Sequence, residues 1–244
     1  MQKTKVNILL GSVMAFVVIA MSSCLKSSDP TPQPAQAYMS ILHLATAGSA
    51  PSVEIYFNTE KRSNAFTAGA VSQVYSAVDK GAYSVNFKKA GSDSLVASVP
   101  ASLYDSLGFY TLVLYNEPGG NVQAMRIEDD FSDLTLDKPY FRFFQVSPSI
   151  AGLGPVDLYM DNTKIFQQRT LADNEFSDYY NQFSATTVGT HNFQVKLSSN
   201  DSLITSLNDI SLQAGNAYTI YLKGNIGGTS EANKIGLGAL RAAN

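Results

Sequence analysis

Tryptophan is absent from this sequence, cysteine occurs once and histidine twice. Each shortage removes a class of chemistry. A single cysteine cannot close an intrachain disulfide. Cys24, His43 and His191 supply neither the paired thiolates nor the HExxH spacing of a zinc site. Two histidines leave few bases for a nucleophilic serine, and no GxSxG elbow presents one. No Walker loop or GxGxxG occurs, and Gly119-Gly120 and Gly227-Gly228 read as turns after strands. No catalytic residue, metal or cofactor is expected on these grounds. Without tryptophan, ring contacts fall to 13 tyrosines and 13 phenylalanines.

Long apolar runs are missing too, with one exception. Ile8 to Met21 reads ILLGSVMAFVVIAM, shorter than the roughly 20 residues that cross a bilayer. Lys3 and Lys5 precede it, and Ser22, Ser23 and Cys24 follow. This order resembles the lipobox of bacterial lipoproteins, with Met21 where leucine is usual. The resemblance implies that residues 1–23 are a leader cut off before Cys24, whose thiol and freed amine are acylated. Two or three acyl chains hold a protein on a membrane far better than one. Residues 24–37 then form a tether in which Pro30, Pro32 and Pro34 favour an extended chain. Leu25 and Lys26 follow the cysteine. By analogy with lipoprotein sorting, the lack of aspartate there points to the outer membrane, with the leaflet open.

Positive charge is scarce. Losing Lys3 and Lys5 takes Lys+Arg from 17 to 15 against 20 Asp+Glu, a balance of about −5. That argues against a nucleic-acid partner, which calls for a basic face.

What remains is strand-like. Ser84–Phe87, Tyr110–Tyr115, Phe193–Leu197 and Tyr218–Leu222 alternate or run apolar over strand lengths, and only Leu171–Phe183 suggests a short helix. Five blocks recur in one order. SILHLA from Ser40 matches RFFQVS from Arg142, and VEIYFN from Val53 matches VDLYMD from Val156. GAYSVNF from Gly81 matches GTHNFQV from Gly189, SDSLVAS from Ser92 matches NDSLITS from Asn200, and YTLVLY from Tyr110 matches YTIYLK from Tyr218. A repeat of about 100 residues has the size of a sandwich domain. The expected fold is all-β, two tandem sandwiches over residues 38–137 and 138–244. Period two puts Val53, Ile55 and Phe57 inside, with Val156, Leu158 and Met160. Leu42 and Leu44, with Phe144 and Val146, are assigned to two similar cores.

These blocks resemble the domain of unknown function 4397 in two copies covering nearly all of residues 38–240. The matching features are a short apolar strand, a small-residue loop (Ala45–Pro51, Ser147–Pro155), VEIYF or VDLYM, and the Tyr-Thr strand. The first copy has SLGFYT where the second has the Ala214-Gly215 step. The resemblance implies immunoglobulin-like sandwiches in secreted or lipid-anchored proteins, and no catalytic residues.

Among the remaining candidates, Glu54 and Asp157 could serve as paired carboxylates. Their equivalence in two copies favours a structural acid accepting backbone N–H groups. Glu128, Asp129, Asp130, Asp133 and Asp137 lack EF-hand spacing and read as a solvated linker rather than a calcium site. His43 is out of phase with Leu42 and Leu44 and is expected to face out. His191 is expected to be half-buried. Tyr56 and Tyr159 on the outward phase, and the adjacent Tyr179 and Tyr180, form the candidate binding surface. The expected partners are the membrane, through lipid on Cys24, and an envelope or extracellular glycan or protein. The function expected is non-catalytic binding, adhesion or scaffolding, with a glycan-processing enzyme or accessory and a plain spacer as alternatives.

Overall fold

The computed structural model describes residues 35–46 and 50–243. The expected leader, Cys24 and most of the expected tether lie outside the described residues. Ala35–Asn244 forms one compact unit. Its sixteen strands are β1 Gln36–His43, β2 Val53–Phe57, β3 Glu60–Lys61, β4 Ser76–Asp79, β5 Gly81–Lys89, β6 Leu95–Tyr104, β7 Phe109–Asn116, β8 Val122–Asp129, β9 Tyr140–Gln145, β10 Val156–Met160, β11 Thr163–Arg169, β12 Ser184–Ala185, β13 Gly189–Leu197, β14 Leu203–Leu212, β15 Ala217–Lys223 and β16 Gly236–Ala243. Between β11 and β12 the chain runs as a 3₁₀ turn, Leu171–Phe176, and a helical turn α1, Ser177–Tyr180. The short helix expected there is present. Among the described residues no helix is long and apolar enough to cross a membrane.

The strands form four four-stranded sheets. Sandwich 1 pairs sheet β4-β1-β7-β8 with sheet β3-β2-β5-β6, and sandwich 2 pairs β12-β9-β15-β16 with β11-β10-β13-β14. Each strand of the first set thus has a counterpart eight places later, in the same order. In both, the first strand lies parallel to the seventh, β1 with β7 and β9 with β15. The architecture is a pair of immunoglobulin-like β-sandwiches.

The Tyr-Thr motif has two separate jobs. The Tyr110 hydroxyl accepts the Asp105 N–H at 2.9 Å, and Tyr218 accepts the Gln213 N–H at 3.0 Å. Each ties the start of a strand to the corner before it, as tyrosine corners do. The following residues, Thr111 and Thr219, point the other way and are buried.

Each sandwich has its own core. Met39, Ile55, Val85, Phe87, Val99 and Leu112 pack inside the first, and Phe141, Phe143, Leu158, Phe193, Val195 and Ile220 inside the second. Leu42 and Leu44 do not belong to the first core, nor Phe144 and Val146 to the second. These four join Val113, Met125, Ile127, Tyr221 and Leu240 in a third buried cluster. The expectation placed them in their own cores; the structure places them between the sandwiches. The reason is that sheet β4-β1-β7-β8 packs its outer face on the equivalent face of sheet β12-β9-β15-β16. Its central strands are therefore covered on both sides. β9 is buried at all six positions and β15 at six of seven. The contact is pseudo-symmetric, since Leu42 and Phe144, Leu44 and Val146, and Val113 and Tyr221 are repeat equivalents. His43 is corrected for the same cause. It is fully buried, with Nε2 3.0 Å from the Pro51 carbonyl, and burial holds its pKa below the ordinary value.

The corner before β7 carries strain that its counterpart avoids. Leu107 has φ +64 and is 70% exposed, whereas the equivalent Gly215 has φ +75. A left-handed non-glycine residue costs about 1–2 kcal/mol, partly offset by the extra chain entropy glycine loses. Leu107→Gly is therefore expected to stabilise the chain by roughly 0.5–1 kcal/mol. Urea denaturation measures it, and a lowered midpoint would show that Leu107 is held by contacts that outweigh its backbone.

Candidate functional site

Around the outward faces of β2 and β10 five equivalent side chains gather, with Glu54 in the first copy where the second has Asp157. In sandwich 1, Lys61 Nζ stands 2.8 Å from Glu54 Oε1, and the Tyr56 hydroxyl donates to Glu54 Oε2 at 3.3 Å. Lys88 Nζ lies 4.5 Å from the Tyr56 ring centroid and 3.1 Å from Asp93 Oδ1. In sandwich 2, Lys164 Nζ is 2.5 Å from Asp157 Oδ2, Lys196 Nζ is 4.4 Å from the Tyr159 ring centroid, and the Tyr159 hydroxyl donates to Asp201 at 2.8 Å. Strand pairing explains the grouping. Glu54 faces Lys88 and Asp157 faces Lys196 across the central ladders, and Tyr56 faces Lys61 and Tyr159 faces Lys164 across the edge hairpins. The ion pairs and the nearer ring–cation contacts run diagonally between these positions, Lys61 to Glu54 and Lys88 to Tyr56, and such neighbours on one face are stabilising cross-strand pairs.

Both acids are held in ion pairs. Asp157 is buried. Its Oδ1 accepts the Gln168 N–H at 2.8 Å and the Ser198 hydroxyl at 2.5 Å. Burial pushes its pKa up, but Lys164, Ser198 and the Gln168 amide outweigh this and hold it below the ordinary carboxylate value. Lys61 holds Glu54 down in the same way, and Asp157 raises Lys164. The amides come from β11 and, for Glu54, from Gly91 in the β5–β6 turn, not from the preceding loop. The two acids lie on opposite outer layers of a four-sheet stack, about 30 Å apart at roughly 10 Å per layer. Paired glycosidase carboxylates stand about 5–9.5 Å apart.

Tyr56 and Tyr159 are therefore half-buried rings already engaged by lysines, and they do not meet. Tyr179 and Tyr180 sit elsewhere, on α1. Tyr179 is 76% exposed and meets Tyr180 edge-on at 4.9 Å. Tyr180 carries the Arg169 guanidinium 5.1 Å from its centroid, and Arg169 Nε is bonded to Asp173 at 2.8 Å. His191 is more buried than expected. Its Nδ1 lies 2.6 Å from Asp161 Oδ2 and its Nε2 3.0 Å from the Thr187 carbonyl. Cys24 is outside the described residues.

Sequence reasoning missed a polar cluster sealed between the sandwiches. Arg142 NH1 is 2.5 Å from Asp129 Oδ1, Arg142 Nε donates to Thr219 at 3.0 Å and Arg142 NH2 to Thr111 at 3.2 Å. The Tyr75 hydroxyl donates to Asp129 Oδ2 at 2.6 Å. The Phe144 and Phe183 rings cover the guanidinium at 4.7 and 4.4 Å. Asp129 is thus no solvated linker residue; it ends β8 and is buried. One signal was present: Arg142 stands alone among four aromatics in YFRFF. Among the described residues, no three His, Cys, Asp or Glu gather as a metal group.

No curated protein matches this chain. Residues 37–153 do match a family model. That span holds nearly all of sandwich 1, the linker with its acidic run, and β9 with Arg142. The family it matches over those residues is described as Domain of unknown function (DUF4397).

Proposed function

We propose that this chain is a lipid-anchored protein of the cell envelope, in the outer membrane, whose two sandwiches are tandem copies of that domain acting as a non-catalytic binding or scaffold module. The leader-like order ending at Cys24 supports the anchor. The identical strand order and the repeated Glu/Asp–Tyr–Lys–Lys–Asp set support a second copy in residues 138–244. The observation that carries the module reading is the polarity of the fold. The described chain begins at Ala35 beside Lys80 and Leu107, with the Leu107 N–H bonded to the Gln36 carbonyl at 2.8 Å. The inter-sandwich linker and the end of β16 lie at that same end, because β8 and β16 run antiparallel to β7 and β15. The turns β5–β6 and β7–β8, the described ends of the β1–β2 connection, and their three counterparts gather at the other end. A tether on Cys24 would leave those six connections free on a rigid base, where binding loops belong.

The test has two parts in one strain set. Cells fed an alkyne-labelled fatty acid should label the chain and not its Cys24→Ser form. The purified chain is then screened for binding to envelope glycans and proteins and for turnover of model esters and glycosides. Binding without turnover is the expected outcome. Turnover lost in Glu54→Gln would favour the enzyme, and no binding at all the spacer.

A further inference from the structure

Sandwich 1 has an opening along one side. Its edge strand β3 has two residues, whereas the equivalent β11 has seven. The gap is a crevice of about 350 Å³ that reaches the core. Met39, Ile41, Ile55 and Phe57 line it, with Arg62, Ser63 and Ser72 beside them and residues 76–79 of β4, ending in Asp79, completing the wall. The wall amides are already bonded. Ile55 N–H donates to Ser63 Oγ at 3.1 Å and Ile41 N–H to Ser72 Oγ at 3.2 Å. These two backbone donors are therefore satisfied beside the apolar side chains.

The other copy shows what this fold does when the space is not kept. Met39, Ile41, Phe57 and Ser63 correspond to Phe141, Phe143, Met160 and Phe166. Phe141 and Phe166 meet edge-on at 5.5 Å, inside the second core. The same positions thus hold large aromatics in sandwich 2 and the smaller Met39, Ile41 and Ser63 in sandwich 1. Small-molecule sites are clefts of about 300–1,000 Å³ with apolar walls and few polar groups. This crevice is at the low end, enough for one slender chain. Arg62 supplies the cation at the mouth. Its guanidinium carbon lies 5.5 Å from the Phe57 centroid, NH2 is bonded to Glu60 at 2.9 Å, and NH1 stands 4.0 Å from the Asp79 carboxylate, which lines the same crevice.

We infer that this crevice binds a single long aliphatic chain bearing a carboxylate, a free fatty acid, with the tail against Met39, Ile41, Ile55 and Phe57 and the head at Arg62 NH1. The inference does not depend on anchoring. The test uses the Cys24→Ser chain, which has no thiol to acylate, titrated with fatty acids from octanoate to hexadecanoate. Saturable one-to-one binding is expected, tightening roughly fourfold per added methylene until the crevice is full. Ile41→Phe, which copies Phe143, should weaken binding at least about tenfold while the melting temperature holds or rises. Ser63→Phe, copying Phe166, is the second filling variant, should the first unfold. Arg62→Gln should weaken the acid several-fold and leave the matching fatty alcohol unchanged. Affinity independent of chain length, or folded filling variants that bind like the parent, would overturn the inference. So would no saturable binding.

Discussion

Asp129→Ala is expected to destabilise the chain by about 3–5 kcal/mol, the cost of leaving one half of a buried ion pair alone. The Arg142 and Asp129 side chains are 1% and 0% exposed. Removing the carboxylate leaves the guanidinium with two threonine hydroxyls and two aromatic rings, none of which carries a charge. It also strips Tyr75 and Thr111 of their acceptor. For a chain of this size the melting temperature should fall by roughly 10 °C. Replacing both partners, Arg142→Met with Asp129→Leu, should recover much of that loss, because apolar groups of similar volume carry no desolvation cost. A double replacement as damaging as the single one would mean that the threonine and tyrosine bonds, not the charges, dominate the cluster.

Gly224→Ala should be the other severe substitution. Gly224 follows β15 with φ +84, and an added Cβ would stand 2.0 Å from the Lys234 carbonyl oxygen and 2.6 Å from its carbon. Both are backbone atoms, so no side chain can swing aside. The left-handed conformation costs about 1–2 kcal/mol for a residue with a Cβ, and overpacking adds about 1–3 kcal/mol. Gly120 is the control. It has φ +88 but nothing within 4 Å of its Cβ position. Gly120→Ala should cost about 1–2 kcal/mol, the backbone term alone. Urea midpoints of the two variants separate conformation from collision, and equal losses would show that the β15–β16 connection yields.

The β-class, the repeat and the inner faces of β2 and β10 were legible because half-buried strands alternate with period two. The contact between the sandwiches was harder to read. A strand covered on both faces gives up alternation, and YTLVLY, YTIYLK and YFRFF read as continuous apolar runs. Those runs were themselves the signal that one sheet of each sandwich has no solvent face. They were assigned to cores because a single sequence shows that a residue is buried, not which neighbour buries it. His43 was placed outside by the same logic, since alternation with Leu42 and Leu44 implies exposure only where one face is wet. The outward tyrosines were found correctly on β2 and β10. Their capture by Lys88 and Lys196 depends on register between strands about 30 residues apart, which periodicity does not give. The crevice needed both copies side by side, because Ser63 gains meaning only against Phe166.

The account rests on the two sandwiches being one body, locked by sheets β4-β1-β7-β8 and β12-β9-β15-β16 and by the Arg142 cluster. Amide ¹⁵N relaxation tests this most directly. The account predicts one rotational correlation time shared by amides of β5 and β13, on the two outer sheets, and equal to that of the whole Ala35–Asn244 unit. Shorter times, differing between β5 and β13 and matching sandwiches that tumble independently, would contradict it.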